Sequence, residues 1–134
     1  MPNVATIKKI NREFAATRLF ALMGLTVVKM GAGKASLTVV CSADTLSHNG
    51  SLFGGVISCA ADVAICVALL SQGYRDKVVT TDLNVHYLDR FERGKARLEA
   101  VILRHGKRLI MGEVNMFNHK NILAAHITGT FLKF

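Results

Sequence analysis

The chain has no Trp, a single Pro and three Cys among its 134 residues. Each shortage excludes something. With no proline beyond Pro2 and no repeat or low-complexity tract, nothing marks a linker, so residues 1–134 read as one domain. Cys41, Cys59 and Cys66 are odd in number and lack CxxC spacing, which argues against a disulfide framework or a zinc site. Cys59 and Cys66 stand seven apart in an apolar stretch and read as small buried hydrophobes. Charged residues make up only 19% against 51% hydrophobic, the balance of a chain with a core and not of a disordered one. The longest apolar run, Val56–Leu70, is shorter than the ~20 residues of a membrane span and carries Asp62. The N-terminal stretch mixes charges into its apolar positions, unlike a leader peptide. The expectation is a cytoplasmic protein.

What is present begins with cations. The formal net charge is +8. The excess gathers between Arg90 and Arg108, where Arg90, Arg93, Lys95, Arg97, Arg104, Lys107 and Arg108 face only Glu92 and Glu99. Such a run is either a solvated face or a site for phosphates. The chain has no RNP-like aromatic run, zinc-finger spacing or evident helix-turn-helix. That argues against nucleic acid and for a phosphorylated small molecule. His86, His105, His119 and His126 are scattered without ligand spacing, so no metal is expected.

Hydrophobic periodicity gives the elements. Residues 5–22 have helical spacing (Ile7, Ile10, Phe14, Leu19, Met23), with Gly24 as a stop. LTVVKMGAGKASLTVV reads as two strands around Gly31–Ala32–Gly33, and SADTLSHNGSLFGG as a long loop. Residues 54–71 form a long, Ala-rich apolar helix, buried on most sides. VVTTDLNVHYL alternates, with Val79, Leu83, Val85 and Tyr87 on one face and Thr80, Asp82, Asn84 and His86 on the other. Three further strands follow, separated by turns at His105–Gly106–Lys107 and Asn118–His119–Lys120–Asn121. Strands joined by short turns make an antiparallel sheet. The fold class is α+β, a curved antiparallel sheet wrapped around a long central helix.

Asp62 is the anomaly. A carboxylate among Val, Ile, Ala and Leu costs several kcal/mol, roughly, unless something uses or pairs it. It is either held for structure or put to work as a base, since apolar surroundings make a carboxylate a better base. Gly54 and Gly55 open the same helix. The first N–H groups of a helix lack intrahelical partners and favour negative charge, and glycine lets a carbonyl approach closely.

Three segments, in order, resemble the hotdog-fold acyl-CoA thioesterases over nearly the whole chain. NGSLFGGVISCAAD is similar to the family's Asn, Gly and Gly–Gly helix opener with an acidic residue eight positions after the first Gly of the pair. TTDLNVHYLDRFERG and RHGKRLIMGEVNMFNHKNILAAHITGTF resemble the strands of the phenylacetate-degradation (PaaI) branch of the 4-hydroxybenzoyl-CoA thioesterase-like superfamily. Phe53, where that branch has His, and Asn49–Gly50 match the neighbouring acyl-CoA hydrolase branch.

The resemblance implies hydrolysis of an acyl-CoA thioester to free acid and CoA. Asp62 is then general base or nucleophile, and the Gly54 and Gly55 N–H groups receive the developing oxyanion. Thr80 orients either Asp62 or the water. Asn49 takes the family Asn role, with His48 and Ser47 as substitutes. Substrate contacts fall to His48, Phe53, Asp82, Arg104 and Lys107, the last two toward the CoA phosphates, with Arg90 and Arg93 in reserve. No cofactor is implied beyond the coenzyme A of the substrate. The family pairs subunits through a continued sheet and often pairs dimers into tetramers, so the partners expected are an acyl-CoA and a second copy of the chain, with no nucleic acid and no membrane. The alternative is a non-catalytic acyl-CoA-binding hotdog protein. A hotdog dehydratase or isomerase is disfavoured, because no His lies on the central helix.

Overall fold

A computed structural model describes residues 4–75 and 77–134; Pro2 lies outside them. The order of elements is α1 (Val4–Ala16), α2 (Arg18–Met23), β1 (Thr26–Gly31), β2 (Lys34–Cys41), α3 (Gly54–Leu70), β3 (Val78–Tyr87), β4 (Gly94–His105), β5 (Leu109–Phe117) and β6 (Leu123–Lys133). The single N-terminal helix read from spacing is two helices. Thr17 is extended (φ −93, ψ 113), so the chain turns there, and Phe20 packs edge-to-face on Phe14 at 5.3 Å. Gly24 does stop α2, in the left-handed conformation (φ 59). Ala32 and Gly33, both at positive φ, make the tight turn between β1 and β2.

All six strands form one antiparallel sheet, in the order β1-β2-β4-β5-β6-β3. Bulges interrupt the pairing on β1, β3, β4 and β5/β6, and bulges bend and twist the strands that carry them. The helix α3 lies in the resulting curve, mainly across β2 and β4. Ala60, Ala61, Ala64 and Ala68 face the sheet beside Ile57 and Ile65, all buried. Each fully buried Ile contributes roughly 1.5–3 kcal/mol. Gly112 and Gly129 pair directly across β5 and β6, under Ile65. A Cβ on either would come within 2.5–2.7 Å of a core side chain, so the two glycines set how closely α3 sits.

The sheet covers only one side of α3. Gly55, Ser58, Cys59, Asp62, Val63, Cys66 and Leu70 follow a stripe that is exposed or half-buried. The helix is apolar all round but not buried all round, and Cys59 and Cys66 lie on the open side, contrary to their reading as buried residues. Cys41 is buried.

The two sheet edges differ. At the β1 edge, the Asn11 amide imitates a strand: Nδ2 donates to Val27 O (3.0 Å) and Val27 N–H donates to Oδ1 (2.7 Å). The β3 edge pairs with β6 on one side only and is exposed along most of its length. A long bare edge is a template for another strand. No helix among the described residues is long and apolar enough to cross a membrane.

Candidate active site

The Asp62 carboxylate has a partner. Thr80 Oγ1, on β3, donates to Asp62 Oδ1 at 2.7 Å. The strand reaches the helix here because a bulge lies immediately after Thr80. Before it, Val78 and Thr80 turn inward; after it, Leu83 and Val85 do. The simple alternation read from the sequence is therefore corrected. One extra residue, Thr81, flips the phase, so Asp82, Asn84 and His86 do not share Thr80's face and Val79 does not share that of Leu83 and Val85. Asp82 is exposed and accepts from Thr81 Oγ1 (3.3 Å) on the side away from Asp62.

The other end of the stripe is the opening of α3. Phe53 is the N-cap, with no side-chain hydrogen bond, and the residue is 55% exposed. Its carbonyl accepts from Val56 and Ile57. The Gly54 and Gly55 N–H groups have no acceptor among the described residues, and a Cβ at Gly55 would meet nothing within 4 Å. Two free donors thus point outward at the positive end of a helix dipole.

The preceding loop is held by its own side chains. Ser47 O accepts from Gly50 N–H (2.9 Å), and Gly50 sits at φ 80, where glycine is favoured. Asn49 Oδ1 accepts from the Ser51 N–H (3.2 Å) and the Ser47 hydroxyl, while Asn49 O accepts from Arg90 (3.1 Å). Of the three candidates for the family Asn role, Ser47 is committed to the loop, Asn49 keeps its amide NH₂ as a donor, and His48 is exposed. Arg90 is thereby a loop anchor, itself tied through its carbonyl to the buried Asn118 (3.0 Å).

Arg104 and Lys107 lie at the opposite end of the molecule. Their turn sits beside the C-terminus of α3, where His105 Nδ1 is 2.7 Å from Gln72 Oε1 and packs on Tyr74. Burial first and Lys133 second hold His105 below the usual histidine pKa. Around Asp62 the thiols are kept neutral: burial first, then the Asp62 carboxylate, raises Cys59 and pushes Cys66 up to about 11.

Sequence reading missed one residue at this site. Tyr87, at the end of β3, donates its hydroxyl to Gly54 O at 3.2 Å. Its only sequence signal was an aromatic residue closing a strand.

Within one chain, then, Asp62 and Thr80 meet in one place, and Phe53, Gly54, Gly55 and Tyr87 in another, with Asn49 in the loop that leads into it. Eight residues of helix, roughly 12 Å at 1.5 Å per residue, separate Gly54 from Asp62.

The sequence profile of the thioesterase superfamily matches residues 49–125, more than half of the chain, and spans both clusters. Zebrafish thioesterase superfamily member 2 superposes with a TM-score of 0.89 at 21% identity, covering 100% of both chains. A thioesterase of Haemophilus influenzae gives 0.87 at 19% identity, over 96% of this chain and 90% of its own. The PaaI protein of the E. coli phenylacetic acid degradation operon gives 0.80 at 24% identity, over 96% and 94%. At these identities the solved structures establish the hotdog fold, while the profile establishes the family. The chain belongs to the thioesterase superfamily and is a thioester hydrolase.

Proposed function

We propose that the protein hydrolyses an acyl-CoA to the free acid and coenzyme A, in a site shared by two copies of the chain. The observation that carries this is the Thr80–Asp62 hydrogen bond on the open stripe of a helix whose first two N–H groups are free. A carboxylate with a hydroxyl partner can hold a water and take its proton as the water attacks the thioester carbonyl. Attack by the carboxylate itself would give a mixed anhydride that water then opens. In either route the carbonyl oxygen gains charge and needs donors, which the Gly54 and Gly55 N–H groups supply. The thiolate of CoA leaves, and the proton taken from water returns to it.

One thioester cannot touch both ends of this site in the same chain, because reacting groups must lie ~3 Å apart. Two-fold pairing resolves the mismatch. The bare β3 edge and the open stripe of α3 are adjacent surfaces that a second copy would cover together. Antiparallel α3 helices would bring Gly54 and Gly55 of one chain to Asp62 and Thr80 of the other, giving two equal sites. The same pairing carries Arg104 and Lys107, at the far end of their own helix, toward the partner's helix opening, where CoA phosphates need cations. Asn49 and His48 would line that entrance and Phe53 would offer an apolar contact.

The test is complementation. Asp62→Asn removes the base, and Gly55→Pro removes one N–H at a first-turn position where proline is tolerated and space is open. Each variant alone should lose about 10²–10⁴-fold in thiol release from a panel of acyl-CoAs. After subunit exchange, heterodimers should regain one intact site, up to about half of wild-type activity. Wild-type turnover by folded Asp62→Asn would refute the base, and no recovery despite proven exchange would refute the shared site.

A further inference from the structure

Tyr87 closes β3 as an exposed residue (57%), yet its hydroxyl is engaged, 3.2 Å from Gly54 O. The contact is close. A Cβ at position 54 would stand 2.9 Å from that hydroxyl and 3.2 Å from the ring carbon bearing it, so a side chain there would displace the Tyr87 ring from this position. Gly54 C=O and Gly55 N–H are the two ends of one planar peptide unit. The N–H end is a free donor at the opening of α3, and nothing lies within 4 Å of where a Cβ on Gly55 would stand. Hydrogen bonds in a chain polarise one another, so a donor on the carbonyl end strengthens the N–H at the other end and fixes the plane in which it points.

We infer that Tyr87 is a positioning residue for the oxyanion site: through the Gly54–Gly55 peptide, its hydroxyl orients and strengthens the Gly55 N–H that receives the thioester oxygen. This rests on the thioester-hydrolysis reading above. Ser58 Oγ reaches the same carbonyl at 3.3 Å and Gly55 O at 3.1 Å, but from within α3 itself. Tyr87 reaches it from the strand that also supplies Thr80, so β3 contacts both ends of the catalytic stripe. Tyr87 exchanges no proton with the substrate and forms no bond to it.

The experiment compares Tyr87→Phe, Tyr87→Leu and Asp62→Asn with the wild-type dimer, measuring kcat, KM, thermal stability and the Gly55 amide ¹⁵N resonance. Tyr87→Phe keeps the ring over Gly54 and deletes one neutral hydrogen bond. It should lower kcat about fivefold with KM and melting temperature nearly unchanged, the scale of one such bond felt in the transition state. The Gly55 ¹⁵N resonance should move upfield while those of Val67 and Leu69 stay put. Tyr87→Leu should lose the same kcat and, in addition, stability. Unchanged kcat in Tyr87→Phe, with Asp62→Asn inactive, would overturn this inference and leave the hydrolytic reading standing. A kcat loss matched by an equal loss of stability or an unmoved Gly55 resonance would also overturn it. Full activity in Asp62→Asn would overturn the underlying reading, and this inference with it.

Discussion

Replacing Thr80 by Val tests how much of the site depends on the Thr80–Asp62 pair. Valine keeps the β-branched shape that suits a strand and removes only the hydroxyl that donates to Asp62 Oδ1 at 2.7 Å. A hydrogen bond to a charged acceptor is worth about 1.5–3 kcal/mol. Asp62 and Thr80 are both only half-buried, so water can replace part of the interaction, and roughly 1–2 kcal/mol is the expected loss. If the bond holds Asp62 in its working orientation, that loss appears in the transition state. At 1.36 kcal/mol per tenfold, kcat falls about 5- to 30-fold. KM should change little, because the pair does not hold the nucleotide. Thr80→Ser, which restores the hydroxyl, should recover most of the rate. In an Asp62→Asn background, Thr80→Val should cost almost nothing further, since the two residues act as one unit. Steady-state thiol release from one acyl-CoA compares the wild type with all four variants. Independent, additive losses from Thr80→Val and Asp62→Asn, or a wild-type kcat in Thr80→Val, would refute the reasoning.

Two other outcomes follow from the geometry. If the two cations hold the CoA phosphates in the ground state, as proposed, Arg104→Ala with Lys107→Ala should raise KM for acyl-CoA more than it lowers kcat, and CoA inhibition of the wild type should weaken with salt; an unchanged KM counts against it. With its pKa pushed up to about 11, Cys66 holds roughly one thiolate per thousand at pH 8, so iodoacetamide should label it about 100-fold more slowly than an ordinary cysteine. Asp62→Asn, which removes the second cause of that shift, should speed the labelling of Cys66 and of Cys59, read by mass spectrometry; no change in rate would refute the coupling.

Much of the architecture was legible because it follows from local pattern. The apolar, Ala-rich run after Gly54 read as a helix, though one stripe of it stays open, and Gly24, Ala32–Gly33 and the Asn118–Asn121 turn announced themselves by residue type. Asp62 stood out for an energetic reason, since an ionised group among hydrophobes needs a use or a partner. The helix break at Thr17 was not legible. It rests on Phe14 meeting Phe20, a packing contact that periodicity does not contain.

The tertiary structure decided what pattern could not. A bulge adds one residue to one strand without any composition signal, and on β3 it turns Thr80 toward Asp62 while sending Asp82 the other way. It decided that one stripe of α3 stays open, because a sheet covers a helix from one side only, and that stripe holds Asp62 between Cys59 and Cys66. It placed Tyr87 on Gly54, an approach between residues thirty-three positions apart for which the glycine leaves room. The sequence by itself determined which groups are available for chemistry, a carboxylate, two glycine N–H groups and a run of cations. Which of them can meet was settled by register, bulges and the distance along one helix, and those depend on the whole sheet folding around it.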